Sequence, residues 1–297
     1  MEKLMLFSEN TLESWTHRSS AHESAKQEKT EAAIKNALLS NSDLEELYNA
    51  NKLVIYAKGS YANNTNVRLD SDVDIAVEER DGFYSDRNGY TIPTVGYSGK
   101  WSEEFLWQTV QKSLINYFGD AAVDTSGNAS LEISSDFSGI RADVVPCSQY
   151  HYYTSPTLFR QGTRLKKRDG TIVINYPKQQ YDNGVLKNNK TGRSYKRTVR
   201  IIKRLENYMV EKEGINPIPS FLIESLVYNC PDPIFVDSST WQQRTLKTLD
   251  YLYDKLGTGE TSSWKEPNEF KPLFDSKQKW SEREAFSFIS DARKFIY

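Results

Sequence analysis

The sequence predicts an α+β protein in which a half built from strands and helices precedes a half that is mainly helical. Three observations carry that reading. Between residues 53 and 145, short apolar runs alternate with polar residues at the two-residue period of half-buried strands. From residue 194 onward, apolar residues recur at three- and four-residue spacings, the period of an amphipathic helix. Between these regions, residues 148–192 are polar and irregular, so the crossover is expected there and the chain is divided into residues 1–150 and 151–297.

The elements follow in order. Residues 19–40 are polar and alanine-rich, with Ala32, Ile34, Leu38 and Leu39 near the end, and predict a long surface helix running as a spine along both halves. A short helix is expected at 43–50. Leu53-Val54-Ile55-Tyr56-Ala57 reads as a strand that ends at Gly59-Ser60. In the next extended stretch, 67–77, Val73, Ile75 and Val77 alternate with Asp72, Asp74 and Ala76, so one face is core and the other carries acids. Residues 81–100, rich in Gly, Tyr, Asp and Ser, predict a long loop. Residues 102–118 predict a helix with the stripe Phe105, Leu106, Val110, Leu114 and Phe118, stopped by Gly119. Three short strands at 121–124, 129–133 and 140–145 are separated by Ser126-Gly127-Asn128 and Ser138-Gly139. One strand pair is expected around 170–175. Helices are then expected at 195–212, with Val199, Ile202, Leu205 and Met209 on one face, and at 221–228. Ser239-Thr240-Trp241-Gln242 reads as a capping box opening a helix to Leu256, stopped by Gly257, and Ser281-Glu282-Arg283-Glu284 opens the last helix in the same way. Residues 292–297 belong to that helix, with no sign of a flexible tail.

Composition narrows the function classes. At 297 residues and 38% hydrophobic content the chain can bury a real core, and its 18 Tyr and 13 Phe suit aromatic packing or base stacking. A net charge of −2 argues against a long nucleic-acid partner. Two cysteines, Cys147 and Cys230, and three histidines, His17, His22 and His151, are too few for a Cys/His zinc site or a disulfide framework. The N-terminus is too short and acidic for a signal peptide, and no apolar run reaches membrane-spanning length. A cytoplasmic protein is expected, so the acceptor tripeptides at Asn63, Asn128 and Asn189 carry no weight.

The chemistry is concentrated in Gly59-Ser60-Tyr61 and Asp72-Val73-Asp74. A Gly-Ser turn lets backbone amides and a hydroxyl approach phosphate oxygens. Carboxylates at i and i+2 of a strand share a face and can hold Mg²⁺ together. A two-metal centre wants a third acid, and Asp143 in Arg141-Ala142-Asp143-Val144-Val145-Pro146 lies on the strand face opposite Ile140, Ala142 and Val144. If the two strands are neighbours, the three acids converge. One ion would then serve the triphosphate and the other the attacking hydroxyl, with Asp143 as candidate general base. A lone D-x-D is usually a solvated turn or cap; the Gly-Ser turn, the buried alternation and the third strand aspartate together favour the metal reading.

These residues resemble the polymerase-β nucleotidyltransferase superfamily. The wider pattern resembles the bacterial cGAS/DncV-like nucleotidyltransferases (CD-NTases), and within them the CdnE-like clade. The resemblance is carried by residues 58–77, 175–188, 195–203 and 218–229. It implies a nucleotidyltransferase lobe with a mixed sheet, a helical lobe and an active site in the cleft between them. It also implies template-free joining of NTPs into a cyclic or linear oligonucleotide with two Mg²⁺ or Mn²⁺ ions. Such products activate a separate effector in antiphage signalling; a monomer is expected, with no membrane partner. By motif, Gly59, Ser60 and Lys196 would contact the triphosphate, and Asp72, Asp74 and Asp143 would bind metal. One departure is Tyr61-Ala62-Asn63 after Gly59-Ser60, where relatives often carry a basic residue at the third position.

Other residues carry weaker readings. Lys196, Arg200 and Lys203 share one helix face, which for Arg200 and Lys203 reads equally as a solvated basic face. Asn175 and Asn183 are candidates for reading a base edge, although Asn is also a common turn residue. Residues 164–168 form a basic run that reads as a solvated loop, and His151 reads as structural or surface. Tyr152 and Tyr153 are candidates for base stacking, with core packing the default. Cys147, Cys230 and Trp241 read as packing residues, and Glu224 as a structural pairing residue. Two rival functions stand beside cyclic oligonucleotide synthesis. One is a polymerase-β-type transferase acting on an RNA 3′ end, a protein or a small molecule. The other is a non-catalytic nucleotide sensor.

Overall fold

The computed structural model describes residues 6–18, 21–67, 72–92 and 101–296. Its elements are α1 (Glu9–Trp15), α2 (Ala21–Leu39), α3 (Ser42–Asn49), β1 (Leu53–Lys58), α4 (Gly59–Ala62), β2 (Val73–Asp86), α5 (Glu103–Phe118), β3 (Val123–Asp124), β4 (Leu131–Ile133) and α6 (Ser135–Ser138). They continue with β5 (Ala142–Tyr153), β6 (Phe159–Lys166), β7 (Ile172–Asn175), α7 (Pro177–Lys190), α8 (Ser194–Glu213), α9 (Ser220–Tyr228), α10 (Asp232–Val236), α11 (Trp241–Thr258) and α12 (Glu282–Ile296). The α+β class holds.

The chain forms two compact units, a helical one of Met1–Arg18, Asn63–Val67 and Lys178–Tyr297 and a sheet one of Ser19–Ala62 and Arg68–Pro177. The expected boundary at 150/151 therefore falls inside β5. The N-terminal residues do not go as one block either: α1 belongs with the helices and α2 with the sheet.

In the sheet unit the strand order is β1-β2-β5-β4-β3, with β6 on β5 and β7 on β6. β2 and β5 run parallel, and the other pairs are antiparallel. Val73, Ile75 and Val77 of β2 and Ala142 and Val144 of β5 are buried on one face. They share a core with Ile34, Ala37 and Leu38 of α2 and Leu106, Val110 and Leu114 of α5. The far end of α2 is thus core, not surface. On α5 the expected stripe loses Phe105, which is exposed, and gains Trp107. Ser102 caps this helix by accepting from the Phe105 amide at 3.1 Å, and Gly119 ends it at φ +89°.

Two expectations fail here for local reasons. Asp81-Gly82 is a bulge inside a continuous strand, not the start of a loop: the register with β5 jumps between Glu79 and Phe83. The Glu79 carboxylate stabilises it by accepting from the amides of Asp81 and Gly82 at 2.6 and 3.2 Å. The loop expectation holds for residues 87–92, which are turn and irregular, and its remainder at 93–100 lies outside the described residues. Pro146, likewise, does not end its strand. On one edge of β5, β4 pairs as far as Val144 and β6 starts at Ser148, so Pro146 sits in a gap of that edge where a missing N–H is tolerated. The basic run at 164–168 begins within β6, where Arg164 pairs with Glu103 and lies over the Tyr84 ring.

In the helical unit, Tyr195, Val199, Ile202, Leu205 and Met209 of α8 meet Leu222, Ile223 and Leu226 of α9 and Leu249 and Leu252 of α11 in one core. The capping box of α12 is reciprocal: Ser281 Oγ accepts from the Glu284 amide at 3.2 Å and Glu284 Oε2 from the Ser281 amide at 2.7 Å. α11 passes through Gly257, where Phe286 packs close to the backbone, and ends at Gly259 with φ +70°. α7 has no sequence signature, because only Gly184 along it is buried.

Candidate active site

The site in the sheet unit begins where β1 ends. Lys58, the last residue of β1, is the cross-strand partner of Asp74 on β2. The chain then turns through α4, a single helical turn. Gly59 is required there twice over: its φ is +71°, and a Cβ would stand 2.3 Å from Asp74 Oδ2. The backbone of the Gly-Ser turn is thus pressed against a carboxylate. Ser60 is half-buried beside it, and Tyr61 is buried in the core.

The parallel register of β2 and β5 makes Asp74 and Asp143 direct partners, on the face opposite Val73, Ile75, Ala142 and Val144. Asp72 precedes β2 on the same side. This crowding has an electrostatic consequence. Burial, then the charges of Asp74 and Asp72, hold the Asp143 carboxyl above its ordinary pKa, with the Ser130 hydroxyl opposing. Two cations answer part of the charge. Lys58 Nζ stands 3.7 Å from Asp74 Oδ1. Arg141 grips Asp72 with both arms of its fork, Nε to Oδ1 at 2.5 Å and Nη2 to Oδ2 at 2.8 Å.

The helical unit carries the other predicted residues. Lys196, Arg200 and Lys203 of α8 are all buried, so no solvated basic face exists there. Lys203 faces Glu224 at 3.8 Å, and Arg200 donates to the carbonyls of Thr16 and Asn64. Burial, then the like charges of Arg18, Arg197 and Arg204, bring Arg200 down to about 10. Lys196 has no carboxylate within ion-pair distance among the described residues; burial lowers its pKa, and its ammonium lies 5.6 Å from the Tyr181 ring centre. Gly184 of α7 lies alongside that side chain: a Cβ there would make ordinary contact with Lys196 Cε at 3.8 Å.

Asn183 Nδ2 donates to the Pro267 carbonyl at 2.9 Å, so that amide hydrogen is engaged within the unit. Asn175 belongs to the sheet unit, at the end of β7 opposite Thr163. Asn63, the departure from the family pattern, donates to Glu224 Oε1 at 3.2 Å. His151 is neither surface nor catalytic in placement: it is stacked between Phe83 and Phe159, with ring centres 4.2 and 3.8 Å away.

Residues 182–297 match the cGAS/DncV-like nucleotidyltransferase C-terminal helical domain. The cyclic dipyrimidine nucleotide synthase CdnE of Cecembia lonarensis is 35% identical over 294 residues, covering 95% of this chain and 96% of that protein. The chain belongs to the cGAS/DncV-like nucleotidyltransferases. The protein of the same description from Legionella pneumophila is 36% identical over 303 residues, 97% of each chain. The solved structure of the Elizabethkingia meningoseptica CdnE cyclic dinucleotide synthase with GTP and Apcpp has a TM-score of 0.81 at 27% identity, over 97% of this chain and 98% of that one.

The acid row of this nucleotidyltransferase fits a hard divalent cation in its donor chemistry. Asp72, Asp74 and Asp143 offer carboxylate oxygens only, and their mutual repulsion on Asp143 is what a dication relieves. As the side chains stand, no three acids close around one point among the described residues, and Asp72 is bound by Arg141. Lys58, Arg141 and Glu132 were missed as members of the site. The signal for Arg141 was present: a basic residue two positions before Asp143 shares its strand face. Glu132 lies opposite Asp143 on β4, which only the register reveals.

Proposed function

We propose that this nucleotidyltransferase joins nucleoside triphosphates, without a template, into a cyclic di- or trinucleotide that contains at least one pyrimidine. The observation that carries the site assignment is Gly59 pressed against Asp74, itself paired with Asp143. A phosphate-approaching turn and a carboxylate pair then meet within one strand register. In each step a ribose hydroxyl oxygen bonds to an α-phosphorus, the bond to the β-phosphate oxygen breaks, and pyrophosphate leaves. Asp143, the partner of Asp74 in the strand register, accepts the hydroxyl proton. Asp72, Asp74 and Asp143 would hold Mg²⁺ or Mn²⁺, which when bound supplies charge stabilisation at the triphosphate. Gly59 and Ser60 orient the phosphates, Lys196 supplies an ammonium with no carboxylate within ion-pair distance among the described residues, and Asn175 and Asn183 are the candidates for reading a base.

Pyrimidine use is supported by the two relatives described as dipyrimidine synthases. We further read the product as a messenger for a separate effector in antiphage defence, made by a cytoplasmic monomer. The test is incubation with all four NTPs and Mg²⁺ or Mn²⁺, then phosphatase and mass spectrometry. A phosphatase-resistant cyclic product, reduced at least about a thousandfold in the Asp72→Ala/Asp74→Ala double variant, is expected. A cyclic product at full rate from that variant would remove the site assignment. Nucleotide added to RNA or protein instead would replace the reaction.

A further inference from the structure

The Arg141–Asp72 pair stands apart from the other ion pairs of the sheet unit. Its acceptor is a member of the acid row, its geometry is bidentate, and it sits at the surface, with side-chain exposures of 50% for Arg141 and 27% for Asp72. A guanidinium stays protonated at any ordinary pH, so Arg141 cannot vacate the carboxylate by losing a proton. It can vacate it by moving. Glu132 offers the place: its Oε1 is already 3.6 Å from Arg141 Nη1. Glu132 is also the cross-strand partner of Asp143, so a guanidinium resting there remains beside the row. Solvent screens this pair, and although the fork holds it more firmly than most exposed ion pairs, Glu132 supplies a replacement carboxylate when it opens.

We propose that Arg141 is a displaceable counter-ion of the acid row: it holds Asp72 in the metal-free protein and releases that carboxylate to a divalent cation by shifting to Glu132. This rests on reading Asp72, Asp74 and Asp143 as metal ligands. Arg141 is then a positioning residue that sets the threshold for metal occupancy. Lys58 is a looser analogue on Asp74, touching one oxygen at 3.7 Å.

The experiment is Mn²⁺ binding to the full chain without nucleotide, read as loss of the free-ion EPR signal, for wild type, Arg141→Gln and Arg141→Lys. Both substitutions are at an exposed side chain, and circular dichroism checks the fold. If the guanidinium competes for Asp72, both variants bind Mn²⁺ more tightly than wild type, by about three- to tenfold, because lysine keeps the charge and loses the fork. If Arg141→Lys matches wild type, only charge matters and the exchange is wrong. If both variants match wild type while all bind, the acids are a metal site and the exchange is again wrong. If wild type and variants all fail to bind Mn²⁺, the metal reading of the three acids falls, and the exchange with it.

Discussion

Two carboxylate clusters in this chain are made of the same groups and come to opposite ends. In the helical unit, Glu224 is buried and fully supplied: Asn63 donates at 3.2 Å, Thr65 at 2.7 Å, and Lys203 faces it at 3.8 Å. In the sheet unit, Asp74 has one ammonium at 3.7 Å, and Asp143 is pushed up in pKa by burial and then by its acidic neighbours. A carboxylate whose donors are all in place is a structural tie; here it holds residues 63–67 to α8 and α9. A carboxylate left short of positive charge is poised for something the chain itself does not provide. Lys196 and Lys203, seven residues apart on α8, repeat the contrast in cations: among the described residues Lys203 has a carboxylate within ion-pair distance and Lys196 has none.

The largest test breaks the tie. Glu224→Ala leaves Lys203 buried without its acid and is expected to destabilise the protein by about 3–5 kcal/mol in urea unfolding, whereas Glu224→Gln keeps an acceptor and costs less. An equal cost for both would mean the charge there is irrelevant. Next is Gly59→Ala, which puts a methyl group into the Asp74 carboxylate at a positive φ. Pyrophosphate release should fall about a hundredfold through misplacement of that acid. A variant with normal rate would show that Asp74 has no fixed place in the reaction.

Lys196→Met sharpens the contrast between the two lysines. The ammonium is buried without a carboxylate, so the protein should melt slightly higher while the KM for NTP rises about tenfold. Destabilisation comparable to that of Glu224→Ala would make Lys196 a structural residue like Lys203. The smallest effect belongs to His151. Burial lowers its pKa from 6.5, and neither ring nitrogen has a hydrogen-bond partner among the described residues. Its folded pKa lies below the unfolded one, so its contribution to stability is complete above about pH 6.5 and is lost as pH falls through the lowered value. His151→Phe should keep the stack and flatten the loss of melting temperature between about pH 7 and 5. An unchanged slope would assign that loss to other groups.

Most of the site was legible as residue types. Gly59, Asp72, Asp74 and Asp143 could be named as candidates because acids in the polar phase of a strand alternation, and a Gly-Ser turn before them, are patterns one dimension can show. Arg141 was missed although its spacing from Asp143 was visible, and Glu132 could not be found, because its place opposite Asp143 exists only in the strand register. The same limit hid the bulge at Asp81-Gly82, which is written in turn residues, and α7, whose polar surface leaves no apolar stripe. The C-terminal helices were legible from their caps and periodicity, since both signals are local.

By itself the sequence determined the class of fold, the strand faces and the acids, because period and residue chemistry are local properties. Only the tertiary structure decided which acid stands beside which, that Asp72 is held by a guanidinium, and that Glu224 is saturated while Asp74 is not. Those are facts of pairing between residues up to 161 positions apart, and the distance between two charges, which sets their energy, is not written in either one.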